Sequence, residues 1–174
     1  EGVGRGPVLT LHAGDTKRTL HPDTGDGAEM GALIDWLLGV LDADLGPLNL
    51  VGAGHRVVHG GRDFDAPVRV TDDVMTRLEA LAPLAPGHQP YNLLGIRTVA
   101  ARWPDCPQIA CFDTAFHRSR PRLAQLFALP RELSDEGILR YGFHGLSYDY
   151  IAGRLPEVLG EACARGRVIV AHLG

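Results

Sequence analysis

QIACFDTAFH, residues 108–117, is the stretch on which the fold turns. Its first half, Gln108 to Phe112, has the length and apolar content of a buried strand, and it stops at Asp113. An acid at the end of a buried strand is where α/β proteins place ligand chemistry. The same acid can cap a helix or turn, and on its own Asp113 divides evenly between the two readings. Helical segments flank the strand. Upstream a helix runs from about Tyr91 to Trp103 and ends at Pro104. Downstream, Ser119 and Pro121 open a short helix with Leu123, Leu126 and Phe127 on its apolar side.

Further out, the alternation continues. Val8 to His12 reads as a strand, residues 20–27 as a loop, and Asp26 with Glu29 as a capping box. Met30, Leu33, Ile34, Leu37, Leu38 and Leu41 then follow the helical stripe until Gly46-Pro47 breaks it. Leu48 to Val51 begins a strand that runs through Gly52 and Gly54 into residues 55–61, and Val68 to Val70 is a short strand. Thr71 caps a helix whose first turn carries Asp72 and Asp73, favourable against the helix dipole. Ala82 to Pro90 holds three prolines and is predicted to be irregular. Residues 129–145 read mostly as loop, Leu146 to Leu155 as a helix interrupted by Pro156, and Val168 to Ala171 as a last strand. No repeat or low-complexity segment occurs. The class is α/β, or mixed α+β, with helices layered on a sheet.

Composition narrows the function classes. The chain has 174 residues, 45% hydrophobic and 22% charged, with a net charge of −4. That balance offers no general electrostatic footprint for nucleic acid, and the cluster Arg118, Arg120, Arg122 reads as a solvated face. No apolar run reaches membrane-spanning length and no charged-then-apolar leader opens the sequence. Cys106, Cys111 and Cys163 cannot all pair with one another, and the first two flank an apolar strand as small buried hydrophobes would. A reducing, cytoplasmic compartment fits. The sequence starts without methionine and stops just past a strand, so it is expected to be a piece of a longer protein.

Four segments gather polar residues among glycines and prolines. In GHRVVHGG (54–61), Arg56 stays charged in an apolar context and needs an anionic partner, either a carboxylate of the chain or a ligand. Taken alone the carboxylate of the chain is the better reading, although Gly60 and Gly61 allow a close backbone approach that raises the ligand reading somewhat. His55 and His59 lack the intervening glutamate of the helical zinc motif, and Val57 stands where a dinucleotide fingerprint needs its third glycine. In APGHQPYN (85–92) a rigid proline loop mounts His88, or Gln89 or Asn92 simply caps the next helix. FDTAFH (112–117) carries Asp113. In RYGFHGLS (140–147) two glycines bracket Phe143-His144. None of the four identifies a reaction alone.

Together and in order, these strings resemble the acetate kinase (acetokinase) family. GHRVVHGG, PLAP and HQP within 83–90, FDTAFH, RYGFHG (140–145) and AHLG (171–174) match its motifs in sequence and spacing. The resemblance implies the actin-like, ribonuclease H-like ATPase fold shared with sugar kinases and heat-shock chaperones. It implies an incomplete N-terminal acyl-substrate lobe over 1–165, followed at 166–174 by the first strand and truncated phosphate hairpin of a nucleotide lobe. It further implies transfer of the γ-phosphoryl group of ATP to acetate, with Mg²⁺, in a cytoplasmic homodimer. A propionate or butyrate kinase, or a non-enzymatic nucleotide binder on the same fold, are the competing readings. Retention of Arg56, Asp113 and His144 argues against the last.

By the same resemblance, Arg56 holds the substrate carboxylate and His144 stabilises the transition state, while Val58, His88 and Phe143 line the acyl site. His172, Leu173 and Gly174 open the nucleotide site. Asp113 matches a catalytic aspartate. Because acetate is already ionised at neutral pH, Asp113 is expected to orient an arginine or hold Mg²⁺ rather than move a proton. Gly87 stands where the family usually has leucine, Gln89 for asparagine, Leu146 for threonine, Tyr148 for histidine and Arg62 for glutamate. Gly87 is expected to leave a roomier pocket that favours propionate. The chain alone is expected not to make acyl phosphate.

Overall fold

In a computed structural model the described residues are 6–23 and 29–173. They fall into two compact units, residues 1–53 with 93–107, and residues 54–92 with 108–174.

The first unit opens with an antiparallel hairpin of β1 (Leu9–Ala13) and β2 (Thr16–Leu20), Leu9 opposite Leu20 and Ala13 opposite Thr16. Gly14 makes the tight turn with φ +58°, a conformation that suits glycine. Only β1 is legible in the sequence, because β2 presents Thr16 to Thr19 to solvent and carries no apolar face. α1 (Met30–Leu45) follows the predicted stripe, with Leu33 buried. Its Glu29 cap makes no side-chain bond, and Asp26 of the expected capping box lies outside the described residues. Within this unit Gly31 leaves room for Leu94, and Arg102 bridges from its helix to Asp35 and Asp42 of α1.

The predicted strand at Leu48–Val51 is not formed. Gly46 turns the chain at φ +79°, and the Leu48 N–H goes to the Asp42 carboxylate instead of a ladder. Pairing starts two residues later in β3 (Ala53–Val57), the first partner being the Pro107 carbonyl.

β3, β4 (Val68–Arg69) and β5 (Gln108–Phe112) make a sheet in the order β3-β5-β4. β4 runs antiparallel to β5, with Val68 opposite Ala110. Ala53 N–H bonds Pro107 O while Asp113 N–H bonds Val57 O, so β3 and β5 ascend together, as parallel strands do. β5 thus occupies the centre, as its apolar run predicts. Val57, Phe64, Leu78, Ala110 and Phe112 are the buried apolar side chains of the second unit along with Val58, Phe64 stacking on Phe112. α2 (Asp72–Glu79) begins where expected, with Thr71 Oγ1 accepting the Val74 N–H.

Elsewhere the proline-rich segment is more regular than predicted. Ala82–Leu84 forms a 3₁₀ turn, and α3 (Gln89–Arg102) starts with Pro90 in its first turn, where a missing N–H is harmless. The loop over 129–145 contains a short helix, α4 (Arg131–Asp135). The helix expected after Pro121 is a 3₁₀ turn at Arg122–Gln125, and its supposed apolar side fails, with Leu123 84% exposed. α5 (Gly145–Leu159) continues through Pro156, which lies in its last turn and so removes a single bond near the end. α6 (Glu161–Ala164) follows Gly160. Residues 167–173 form neither helix nor strand. A strand exists only against a partner, and among the described residues nothing pairs with Val168–Ala171. Cys106 and Cys111 are only half-buried and Cys163 is exposed, so none is the core cysteine the sequence suggested. No described helix is long and apolar enough to cross a membrane.

Candidate active site

Arg56, Val58, His88, Asp113, Phe143, His144, His172 and Leu173 all lie in the second unit, while Gly174 is outside the described residues. Arg56 leaves β3 one residue before its end, and Asp113 follows β5 directly. Because those strands are adjacent and parallel, both residues emerge at the same end of the sheet. Asp113 Oδ2 accepts Nε–H and Nη2–H of Arg56 at 3.0 and 2.5 Å.

The pair straddles the surface. The Asp113 side chain is 1% exposed and that of Arg56 58%. A buried carboxylate needs a fixed cation, and an arginine can supply it while the rest of its guanidinium faces water. The hydrogen bond that Arg56 donates to Asp113 raises the pKa of Arg56 above its ordinary value, so the cation is permanent. An oriented guanidinium with an open edge is a receptor for a carboxylate or phosphoryl oxygen. The partner that the sequence demanded for Arg56 is therefore a carboxylate of the chain, with room left for a ligand.

Asp113 is poorly disposed to hold a metal directly. Its side chain is buried and its Oδ2 already accepts both Arg56 bonds, whereas Mg²⁺ keeps several waters around it. Among the described residues no three His, Cys, Asp or Glu side chains gather as a metal site.

Beyond β3 the chain turns along the site with a distinctive bonding pattern. Four consecutive backbone N–H groups find side-chain acceptors: Val58 on Asn92 Oδ1 (2.9 Å), His59 on Gln89 Oε1 (3.3 Å), Gly60 on Thr114 Oγ1 (2.9 Å), and Gly61 on His59 Nδ1 (2.8 Å). Gln89 Nε2 returns bonds to the His59 and Leu78 carbonyls. Gln89 and Asn92 therefore hold this loop and do not cap α3, correcting the sequence alternative. Gly60 and Gly61 also serve packing: a side chain at Gly60 would strike Phe64 and Phe112, and Gly61 sits at φ +62° against Leu81. His59 is buried, accepts at Nδ1, and packs edge-on against Tyr141 and Phe143 at ring separations of 4.4 and 5.7 Å. Burial lowers its pKa, which keeps it neutral. Apart from the departure noted at position 89, no sequence signal pointed to Gln89, Asn92 or Thr114 as the holders, since one polar residue per loop is unremarkable.

The segment around His144 is clamped from the other side. Gly145 N–H donates to Asp113 O at 2.9 Å, and a side chain there would overlap that carbonyl. His144 itself adopts φ 56°, ψ 21°, the one left-handed non-glycine among the described residues. That conformation costs about 1–2 kcal/mol and persists where surrounding contacts impose it. The imidazole is exposed, and the His172 ring lies 4.2 Å from it. His144 and His172, far apart in sequence, are thus neighbours. Phe143 is partly exposed and Val58 buried, while His88 is exposed. Gly87 opens onto free space, with nothing within 4 Å of where a side chain would start.

Comparison with known proteins places the chain among its relatives. The profile described as "Acetokinase family" matches residues 10–174. Acetate kinase of Rhodopseudomonas palustris is 57% identical over 145 residues, covering 83% of this chain and 35% of that protein. Acetate kinase of Methylocella silvestris is 49% identical, covering 100% and 44% respectively. The chain therefore spans well under half the length of these relatives. In structure it resembles Porphyromonas gingivalis acetate kinase, with TM-score 0.77 at 34% identity over 89% of this chain and 40% of that one. A propionate kinase from Francisella tularensis gives TM-score 0.77 at 32% identity, over 87% and 39%. The expected actin-like α/β fold is that of these neighbours. From its motifs, its fold and these relatives together, the chain belongs to the acetokinase family.

Proposed function

We propose that the complete protein containing this chain is an acetate kinase, moving the γ-phosphoryl group of ATP onto the carboxylate of acetate. The observation that carries this reading is the Arg56–Asp113 pair, a permanent cation fixed at one sheet end with an open edge. Attack of one anion on another needs positive charge and hydrogen-bond donors already in place, and phosphoryl transfer depends mostly on positioning and electrostatics. In this reading Arg56 holds acetate with one oxygen directed at the phosphorus, and Asp113 fixes the guanidinium. His144 donates to the equatorial phosphoryl oxygens as charge spreads over them. Val58, Phe143 and His88 surround the acyl group, and His172, Leu173 and Gly174 meet the nucleotide phosphates. When bound, Mg²⁺ would supply charge neutralisation at those phosphates.

Residues 1–165 are read as the acyl-substrate lobe and 166–174 as the entry to the nucleotide lobe, in a cytoplasmic homodimer. The test uses the complete protein with ATP, acetate and hydroxylamine. Acetate-dependent ADP release matched by trapped hydroxamate is expected, and Arg56→Ala should raise the acetate KM at least tenfold. ADP formed without hydroxamate refutes the reading.

A second reading, propionate as the better substrate, rests on Gly87 standing where the family usually has leucine; a side chain there would meet no other atom within 4 Å. A methylene contact is worth about 1–3 kcal/mol in kcat/KM. If Gly87 widens the pocket, Gly87→Leu shifts preference toward acetate; an unchanged ratio rules the idea out.

A further inference from the structure

His117 donates its Nε2–H to the Phe143 carbonyl at 2.8 Å, since a carbonyl can only accept. Its ring lies so close to Gly142 that any side chain there would overlap it. Tyr148 of α5 meets the same ring edge-on at 5.8 Å, and Phe116 meets it at 5.3 Å. The imidazole is thus wedged between the backbone before His144 and the first turn after it.

Two bonds now bracket His144. On one side Phe143 C=O is held by His117, and on the other Gly145 N–H is held by Asp113 O. Both anchors come from residues 113–117, the segment whose first residue also grips Arg56. The left-handed backbone of His144 sits between these two points. We propose that His117 is a positioning residue: with Asp113 it forms one rigid frame that sets where the His144 imidazole stands relative to the Arg56 guanidinium. This rests on the acetate kinase reading for what the two groups do, but the frame itself is a statement about the chain.

Several consequences distinguish it from ordinary packing. Loss of the His117 bond frees the Phe143 carbonyl and lets the 143–145 backbone relax, while Arg56 keeps both bonds to Asp113. The step that uses His144 suffers and carboxylate binding does not. A misplacement of about 1 Å in a catalytic group lowers turnover by roughly 10²-fold, so kcat should fall with little change in acetate KM.

The test compares His117→Gln, which can still donate to a carbonyl, with His117→Met, which fills similar space and cannot, in the complete protein. His117→Met is expected to lose about 30-fold in kcat with acetate KM within about threefold, and His117→Gln to stay within about fivefold of wild type. The imidazole C–H signals of His144 in the NMR spectrum should move in the Met variant and hold in the Gln variant, which reads the frame without any turnover. Equal kcat in the two variants with an unmoved His144 signal overturns the proposal, as does a rise in KM that matches the fall in kcat. Wild-type protein that makes no acyl phosphate instead refutes the acetate kinase reading, and the NMR comparison still decides the frame.

Discussion

Consider Asp113→Asn. The substitution keeps the shape, and the backbone bonds Asp113 N–H to Val57 O and Gly145 N–H to Asp113 O need no carboxylate. It removes the charge that accepts Nε–H and Nη2–H of Arg56 at 3.0 and 2.5 Å. A hydrogen bond to a charged group contributes about 1.5–3 kcal/mol and a neutral one about 0.5–1.5 kcal/mol. Since Arg56 is 58% exposed and can be rehydrated, the net loss lies at the low end, about 1 kcal/mol. Stability should therefore fall by only a few degrees in Tm. The kinetic effect should be much larger, because an unmoored guanidinium no longer presents a fixed edge. A displacement of about 1 Å corresponds to roughly 10²-fold in kcat/KM for acetate. The assay is acetate-dependent ADP release by the complete protein across a range of Mg²⁺ concentrations, with thermal unfolding run in parallel. A loss that rising Mg²⁺ repairs would mean that Asp113 serves the metal, and an unchanged kcat/KM would mean that the orientation of Arg56 is irrelevant. Either result refutes the orienting role.

The remaining expectations concern the frame around the site. Gln89→Leu strips partners from the His59 N–H, the His59 carbonyl and the Leu78 carbonyl, all satisfied by one buried amide; a loss of about 3 kcal/mol should appear in denaturant unfolding. Gly145→Ala drives a methyl into the Asp113 carbonyl and should abolish soluble expression or activity, whereas Gly87→Leu, facing open space, should leave Tm within about 2 °C. Burial lowers the pKa of both His55 and His59, the Gln108 bond partly opposing this at His55. The unfolded chain therefore takes up protons first as pH falls below about 6.5, so the stability present above that pH is lost on acidification. Tm should decline between about pH 7 and pH 5, and His59→Asn, which keeps an acceptor for Gly61, should lessen the decline.

Much of the architecture is legible in the residues themselves. The apolar run Gln108–Phe112 is the central strand, Thr71 caps α2, and the stripe from Met30 is α1, because each depends on local pattern. Asp113 at a strand end is likewise a local signal, as is the grouping of Arg56 and His144 within glycine-bracketed motifs. Local pattern fails where the backbone has a non-local claim on it. Leu48–Val51 has strand composition, yet the turn at Gly46 and the Asp42 carboxylate draw it away from the ladder. Val168–Ala171 has strand composition and no partner among the described residues. The hydrophobic side assigned to Leu123 is a surface, since Leu123 stands largely exposed.

Alone, then, the sequence singles out candidate site residues and the segments that can be helix or strand, because those follow from side-chain type and period. It leaves the partner of Arg56 open between a ligand and a carboxylate of the chain. Tertiary structure decides that, by setting β3 beside β5 so that Arg56 meets Asp113 across 57 positions of sequence. It also decides that four N–H groups after β3 are satisfied by side chains from α3, Thr114 and His59, and that His117 grips the backbone beside His144. Such bonds are invisible to periodicity, and for the buried ones around residues 59–61 the need to satisfy buried polar groups is what selects them.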